Sequence, residues 1–524
     1  MPEYLRALIV VMALALPVLW IAQSSACEMS IDAADYKRRR NLWIVLTVLA
    51  FVAHNFWIYI GVAALLLWIA GASDSHRLGL YIFLLFVVPP FQEEISGFGV
   101  INFLIAVDHL RLLSLVVLLP AWLTLRSREG TLPFGRTLAD KCLLGYVALQ
   151  LALQWNVDTA TNTARYGFYT ITDIFLPYYV ASRSLRDLRS CRDALMSFLV
   201  AALVMTPIAA FEYAKYWLLY STVPGELGVR FGMGNYLGRG DSLRALASTG
   251  HSIVLGYLMA IALSLYAITR WVVSHRGMRL LGGVMLCIGL FAPVSRGPWV
   301  GAAAGIAVLL LTGPDKMARA ARLLMVGVPL IAIVLVSPMG GKLIDLLPFV
   351  GTVDEFNVTY RQRLFEVSLI VLKNNLLLGS FDYLQAPAMQ EMIQGEGIID
   401  MVNSYLGIAL AYGVVGLTLF AGVFLSAGWS AWRAIRSYSP LDEISGIGQA
   451  LLAALVCALV TIGTVSSILV IPTVYWLIAG LCVGYANYAR TAHVQELQEI
   501  EPDPVRRPMR APPRQRPGGA WRST

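Results

Sequence analysis

The sequence predicts an all-α, polytopic integral membrane protein. Of its 524 residues, 58% are hydrophobic and 14% are charged, whereas soluble domains have roughly a quarter charged residues. The apolar residues form long runs, whereas the strands of a membrane barrel would be short segments of alternating polarity. Because only helices and closed barrels satisfy the backbone in lipid, these runs indicate helices.

Apolar runs that approach the roughly 20 residues needed to cross a bilayer recur along the chain. They lie near 5–23, 42–70, 79–90, 109–125, 140–155, 166–181, 191–214, 251–271, 279–294, 297–312, 323–338, 405–427, 446–465 and 467–488. The run 42–70 is either one long helix or two short ones, and the polar pair His54 and Asn55 at its middle favours two. We expect about 13 to 15 transmembrane helices, the first of them retained rather than cleaved as a signal peptide.

Basic residues cluster in alternate connections between these runs. The clusters are Arg126, Arg128, Arg136 and Lys141; Arg183, Arg186, Arg189 and Arg192; Arg270, Arg276 and Arg279; Lys316, Arg319 and Arg322; and Arg433 and Arg436. The positive-inside rule predicts that these loops and the basic tail are cytoplasmic. The loops 91–108, 215–250 and 340–403 then face the other side.

The net charge of +8 does not indicate nucleic-acid binding. Beyond Pro502 the tail carries six arginines against one aspartate, which accounts for five of the eight charges. A segment rich in Pro and Arg is typical of a disordered cytosolic tail near anionic headgroups. The six cysteines are scattered singly, so they predict neither a disulfide framework nor a metal site.

Four conspicuous arginines, Arg244, Arg296, Arg361 and Arg363, fall on the predicted outer side, where the positive-inside rule predicts few basic residues. Arg296 lies between two closely spaced apolar runs, Arg244 precedes another, and Arg361 lies in the long loop 340–403. Arginine binds phosphate well through its permanent charge and fixed fork of donors. Arg244 and Arg296 therefore either bind a phosphorylated substrate or extend their charged ends to lipid headgroups. Arg363 is expected to be a solvated charge on a helix face.

The loop 340–403 is the longest polar interruption in the chain and has its own amphipathic pattern. Loops of this length are usually functional or disordered. We expect a partly helical extramembrane element that covers a site on the membrane domain.

Four segments together resemble the O-antigen ligase/polymerase family of bacterial envelope enzymes. They are LRALASTGHSIVLGYLMAIAL (243–263), PVSRGPWVGA (293–302), TYRQRLFEVSLIVLKNNLLLGS (359–380) and MVNSYLGIALAYGVVGLTLF (401–420). The stretch 80–104 is also similar to the N-terminal part of the exopolysaccharide polymerases in this family. The resemblance covers 243–420.

This resemblance implies a GT-C-like membrane glycosyltransferase of the bacterial inner membrane with its active site facing the periplasm. It would join oligosaccharide repeat units carried on undecaprenyl diphosphate into exopolysaccharide, capsule or O-antigen. The reaction needs no cofactor and no metal. Beyond the lipid-linked oligosaccharide and the membrane, it implies a chain-length regulator and export machinery as partners.

Site residues follow from the same resemblance. Arg244, Arg296 and Arg361 would bind the diphosphate and stabilise the charge that develops on it. The histidine that the family often places before the asparagine of the NSYL segment is replaced by Val402. The candidates for a proton acceptor are then Asp400, Glu396 and His251. Asn403 and Tyr405 either bind sugar hydroxyls or cap the following helix, for which Asn is well suited.

The expected organisation has four parts. Residues 1–242 form N-terminal transmembrane helices, 243–427 the ligase/polymerase-like core, 428–488 C-terminal transmembrane helices, and 489–524 a disordered basic tail. The missing histidine favours a polymerase over a ligase that transfers finished glycan. A different class, a flippase for the same lipid-linked sugar, predicts midplane charges and internal repeats, and no repeat is evident.

Overall fold

The computed structural model is mostly helical. It describes residues 1–99, 101–230, 236–239, 242–321, 324–325, 355–394 and 397–500, with the side chains of 355–357 and 496–500 excepted. The predicted span 323–338, the start of the loop 340–403, and Glu396 therefore lie outside the described residues, apart from 324–325.

The described helices and strands follow one another in the order given next. They are α1 (Glu3–Met29), α2 (Ala33–Val52), α3 (Phe56–Ser73), α4 (Arg77–Leu84), β1 (Glu93–Ser96), β2 (Phe103–Val107), α5 (His109–Ser127), α6 (Leu138–Val157), α7 (Ala160–Thr170), α8 (Leu176–Ser184), α9 (Leu188–Lys215), α10 (Val223–Leu227), β3 (Gly238–Arg239), β4 (Ser242–Leu243), α11 (Ser252–Val272), α12 (Arg276–Phe291), α13 (Arg296–Thr312), α14 (Glu355–Asn374), α15 (Pro387–Gln390), α16 (Ser404–Ile435), α17 (Glu443–Ile462) and α18 (Ile471–Ile500).

Within the described residues, seven helices are long and apolar enough to cross a membrane. They are α1, α3, α5, α9, α11, α16 and α17. Most of the other long helices, among them α2, α6, α12 and α18, contribute to the same apolar core. The protein is thus a polytopic all-α membrane protein, as the sequence predicts at this level, and the strands in the described part of the chain form two small antiparallel pairs.

Polar residues between the apolar runs cap the starts of several of these helices. Asn55 accepts hydrogen bonds from the backbone N–H groups of Trp57 and Ile58 and so caps α3. His54 just before it has a φ of 49°. The break predicted at this pair is confirmed, because an N-cap side chain satisfies donors that a helix start leaves unpaired.

Contacts between helix ends define two ends of the bundle. At the first, which we call the basic end, Arg192 at the start of α9 pairs with Glu443 at the start of α17, and Ser274 bonds to Glu28. At the opposite end, which we call the turn end, Trp217 Nε1 donates to Glu3 Oε1 over 3.1 Å. The chain crosses from α12 to α13 at the turn end.

A fully buried arginine lies near the basic end. The guanidinium of Arg39 bonds to Asp74 at 2.8 Å and to Asp193 at 2.6 Å, and its side chain is 0% exposed. Ser197 also accepts a hydrogen bond from it. A Cβ on Gly79 would lie 2.0 Å from Asp193 Oδ1, so glycine leaves the space that this charged cluster fills.

Helix α16 is interrupted at Gly413, which has a φ of 65° and a ψ of −169°. Essentially only glycine adopts this backbone region. A Cβ on Gly413 would lie 2.2 Å from the carbonyl oxygen of Leu377, and a Cβ on Gly379 would lie 2.5 Å from that of Leu410. The two glycines therefore allow two backbone segments to touch.

The segment 376–380 supplies partners for the backbone groups at this break. Three hydrogen bonds join them: Val414 N–H to Leu376 C=O (2.9 Å), Val415 N–H to Leu377 C=O (3.1 Å) and Ser380 N–H to Leu410 C=O (2.8 Å). Backbone groups inside a membrane protein need such partners because lipid offers none.

Two helices run across the predicted part boundaries. Helix α16 continues past residue 427 to Ile435, and α18 continues past residue 488 to Ile500. The predicted tail therefore begins as helix, and 501–524 lie outside the described residues.

Replacing Gly413 by alanine should destabilise the protein by about 3 kcal/mol or more, because the new Cβ meets the Leu377 carbonyl in a strained backbone conformation. Gly407→Ala in the same helix is the control, since the nearest atom to its Cβ is 4.0 Å away. Thermal unfolding of both variants in detergent measures the difference. Equal melting temperatures would contradict the requirement for glycine at the break.

Candidate functional site

The tight turn between α12 and α13 is the centre of the candidate site. Val294 in this turn has a φ of 46°, which is rare for a β-branched residue. Gly256 of α11 packs against the turn, since a Cβ there would lie 2.9 Å from Pro298 and 3.4 Å from Pro293. Strained residues held in place by their surroundings are concentrated at functional sites.

Two arginines of the preceding loop donate hydrogen bonds to this turn. Arg239 Nη1 lies 2.9 Å from the carbonyl oxygen of Val294, and Arg244 Nε lies 3.3 Å from that of Pro293. The antiparallel pairing of β3 with β4 places both arginines beside the turn. Arg296 is the first residue of α13, so the three arginines gather at one place.

Buried Glu212 holds the loop that carries Arg244. Its carboxylate is inaccessible to solvent and accepts hydrogen bonds from the backbone N–H groups of Leu219 (3.0 Å), Leu246 (2.8 Å) and Ala247 (2.8 Å). A typical intramolecular hydrogen bond contributes roughly 0.5–1.5 kcal/mol net. The carboxylate therefore fixes the backbone two residues beyond Arg244.

His251 caps α11 beside the same loop. Its Nδ1 accepts a hydrogen bond from the Ile253 backbone over 3.2 Å, so the proton of the neutral ring is on Nε2. Burial, and then the charge of Arg244, lowers the pKa of His251 to about 4. At neutral pH the ring is therefore uncharged and suited to donating a hydrogen bond from Nε2.

The connection 463–470 between α17 and α18 lies against the start of α13. A Cβ on Gly297 would lie 2.5 Å from Thr464 Oγ1 and 2.9 Å from Val465 Cγ1. The hydroxyl of Ser404 donates to the carbonyl oxygen of Val465 over 2.9 Å. The start of α16 is thus joined to the neighbourhood of Arg296.

Asp400 lies on the other side of this connection. Its Oδ1 accepts a hydrogen bond from Ser466 Oγ over 2.5 Å, and its backbone carbonyl accepts one from the hydroxyl of Tyr360 over 3.2 Å. Arg361 follows Tyr360 on α14 and its side chain is exposed. Asp400 is therefore joined to the 463–470 connection, whereas Arg361 only follows in sequence a residue that contacts Asp400.

Asn403 and Tyr405 have structural roles at the start of α16. Asn403 Oδ1 accepts from the backbone N–H of Tyr405 (3.0 Å) and of Leu406 (3.3 Å), which makes it the N-cap. The Tyr405 hydroxyl donates to the carbonyl oxygen of Leu459 over 2.8 Å. Sugar binding and helix capping are the two predicted alternatives for Asn403 and Tyr405. Their observed contacts are those of a helix cap and of packing between helices.

The remaining predicted residues lie apart from the turn or outside the described chain. Arg363 pairs with Glu366 and Glu391 and is 56% exposed, which confirms it as a solvated charge. Val402, in the place of the family's histidine, packs against the small apolar cluster between α14 and α16. Glu396 lies outside the described residues.

The arrangement can bind an anion. Arginine side chains and a neutral histidine donor surround a turn at one end of a membrane bundle, and a carboxylate bonded to Ser466 lies across the adjoining connection. Such donors stabilise negative charge that develops on a leaving group. The fold is that of a polytopic helical membrane protein, with three arginines in or beside the α12–α13 turn.

No family model matches this chain, and no curated protein matches it either.

Two residues of this site, Arg239 and Glu212, are not among those predicted from the sequence. Arg239 lies in the same predicted outer loop as Arg244, and the positive-inside argument applied to Arg244 selects it equally well. Glu212 lies near the end of an apolar run, and a carboxylate within such a run was the available indication, since intramembrane ionisable groups usually have a role.

Glu212→Gln should lower stability by about 1–3 kcal/mol, because an amide N–H₂ replaces one of the accepting oxygens and leaves a buried N–H unpaired. Thermal unfolding in detergent is the measurement. Glu226→Gln is the control, because Glu226 is partly exposed and pairs with the exposed His54; it should change stability by less than about 0.5 kcal/mol. Equal effects would show that the three backbone bonds do not matter.

Proposed function

We propose that the protein is a membrane glycosyltransferase that polymerises oligosaccharide repeat units carried on undecaprenyl diphosphate. The observation that carries the proposal is the gathering of Arg239, Arg244 and Arg296 at the α12–α13 turn. Planar guanidinium groups match phosphate oxygens in charge and geometry. The resemblance of 243–420 to the O-antigen ligase/polymerase family supports the same chemistry.

The turn end would face the periplasm of a bacterial inner membrane. The loops with clustered basic residues lie at the opposite end, as the contact between Arg192 and Glu443 illustrates. Because basic loops usually remain in the cytoplasm, the turn end is the one expected to meet substrate that has already crossed the membrane.

In the proposed reaction a sugar hydroxyl of one lipid-linked oligosaccharide attacks the anomeric carbon of the chain on a second carrier. The bond between that carbon and the diphosphate oxygen breaks, and undecaprenyl diphosphate leaves. The three turn arginines stabilise the charge that grows on the leaving oxygens, and Arg361 would add to them.

The proton of the attacking hydroxyl needs an acceptor. Asp400 is the described carboxylate best placed for this role, since it lies at the 463–470 connection next to the turn. His251 is less suited, because its Nδ1 already accepts from the backbone and its low pKa makes it a weak base. It suits donation to a phosphate or sugar oxygen.

Arg244→Ala and Arg296→Ala should each reduce high-mass polysaccharide by about a hundredfold, since each removes one charge-stabilising donor. Gel analysis of the polymer, with immunoblots of membrane fractions, measures product and insertion together. Arg363→Ala is the matched control, because Arg363 forms exposed ion pairs on α14, and it should leave the polymer unchanged. Full-length polymer from both site variants would reject the arginine roles.

The lipid-linked intermediate in a deletion strain separates the two enzyme alternatives. Single repeat units on undecaprenyl diphosphate support a polymerase. Completed polymer on the carrier would instead indicate a ligase that transfers finished glycan to an acceptor.

A second class, a flippase for lipid-linked oligosaccharide, is the alternative. Arg39, Asp74 and Asp193 form a buried charged cluster, but this cluster lies near the basic end and not at the midplane, where a transporter is expected to hold its charges. Purified protein that moves labelled carrier lipid across vesicles without forming glycosidic bonds would support this alternative and contradict the polymerase.

A further inference from the structure

A crevice lies between α1, α9 and α12 near the basic end of the bundle. Its walls are largely apolar and include Val18 of α1, Leu199 and Leu203 of α9, and Leu281 and Met285 of α12. With its open side it has a volume of about 620 Å³, which is within the range of roughly 300–1,000 Å³ of sites for small organic ligands. The crevice is thus large enough to hold a ligand, and it is separate from the candidate site at the turn end.

The open side of the crevice belongs to the apolar surface of the bundle. Ile21 of α1 and Leu281 of α12 both line it and are 50% and 47% exposed. Helices α1 and α11 are long and apolar enough to cross a membrane. The sequence contains no charged residue from 7 to 27 or from 280 to 291, so an acyl chain can enter from this side without meeting a charge.

Two polar residues of the walls already have partners within the protein. The hydroxyl of Tyr266 donates to the carbonyl oxygen of Arg279 over 2.7 Å, and that of Thr269 donates to the carbonyl oxygen of Tyr266 over 2.8 Å. Because a buried hydroxyl with a hydrogen-bond partner does not need another, these walls favour hydrocarbon over a polar ligand.

Positive charge collects at the end of the crevice where α11 ends and α12 begins. Arg270 follows the lining residue Thr269, and Arg276 and Arg279 lie on either side of the lining residue Met278. Arg270 and Arg276 are exposed. A ligand with one end in the crevice therefore has three arginines beside its other end.

The neighbouring charges leave this end of the crevice positive. Glu28 at the end of α1 contributes one negative charge and accepts hydrogen bonds from the hydroxyl and the backbone N–H of Ser274. The charged residues of α9 at this end are in ion pairs, namely Arg189 with Asp32, Arg192 with Glu443, and Asp193 with Arg39. Three arginines against Glu28 favour an anionic ligand.

We propose that the crevice binds an acyl chain of an anionic phospholipid whose phosphate lies at Arg270, Arg276 and Arg279. Basic pockets between membrane helices on the cytoplasmic side are typical sites for anionic headgroups, and guanidinium groups form strong hydrogen bonds with phosphate. The lipid comes from the leaflet at the basic end. The inference is independent of the proposed glycosyl transfer.

Native mass spectrometry of the full-length, delipidated protein tests the proposal. The protein is titrated separately with phosphatidylglycerol and with phosphatidylcholine of identical acyl chains, and the dissociation constant of the first bound lipid is measured. One variant combines Arg270→Gln with Arg276→Gln. The matched control combines Arg433→Gln with Arg436→Gln, which removes two exposed arginines from the same end. The pairs are alike in that Arg270 and Arg436 each lie over a tryptophan ring, at 5.4 Å and 4.8 Å.

A third variant, Ala22→Phe, tests the place of the acyl chain. Ala22 lines the crevice, so a phenyl ring there occupies the space of the chain. This variant should weaken the first binding of both lipids by about tenfold, because the chain loses its apolar contacts. Its melting temperature shows that it is folded, and the arginine variants test the headgroup independently. Unchanged lipid binding in folded Ala22→Phe would overturn the place of the chain.

The first phosphatidylglycerol should bind at least about tenfold more tightly than the first phosphatidylcholine, because arginines add to the binding of an anionic headgroup. The Arg270/Arg276 variant should lose this preference and the Arg433/Arg436 variant should keep it. Equal affinities for the two lipids, or an equal loss in both double variants, would overturn the proposal. A lipid-free dimer that persists when lipid is added would overturn it in favour of a second copy of the chain.

Discussion

Every backbone N–H and C=O inside the bundle must find a partner in the protein, because lipid supplies none. This constraint explains the least regular parts of the structure. At Gly413 the helix breaks, and the segment 376–380 provides the missing partners. At the turn end Glu212 accepts three backbone donors of the loops around it. The second of these devices holds the loop that carries Arg244 at the candidate site.

Charged side chains inside the bundle also need partners within the protein. Arg39 is tolerated inside the bundle because two carboxylates and a serine surround its guanidinium. At the turn end, Arg239 and Arg244 instead donate to the backbone carbonyls of Val294 and Pro293.

Local patterns of apolar and polar residues predicted much of the fold. Long apolar runs predicted the spanning helices, and the polar pair at His54 predicted a break that the cap of Asn55 explains. Arg244 and Arg296 were predicted as site residues and lie at one turn. The break at Gly413 could not be predicted, because the surrounding residues have a continuous helical pattern and its partners lie more than thirty positions earlier in the chain. Such a pairing depends on tertiary contact, which periodicity does not encode.

The paired break in α16 also has a consequence for biosynthesis. Residues 376–380 leave the ribosome before α16 does, so the donors at Val414 and Val415 do not yet exist when the segment emerges. The segment must wait at the membrane surface until the later helix has been inserted, and only then can the hydrogen bonds at Gly413 close. Docking of this segment is therefore a late, post-insertion step of assembly, and a truncated chain ending before α16 would expose three adjacent leucines to chaperones and proteases.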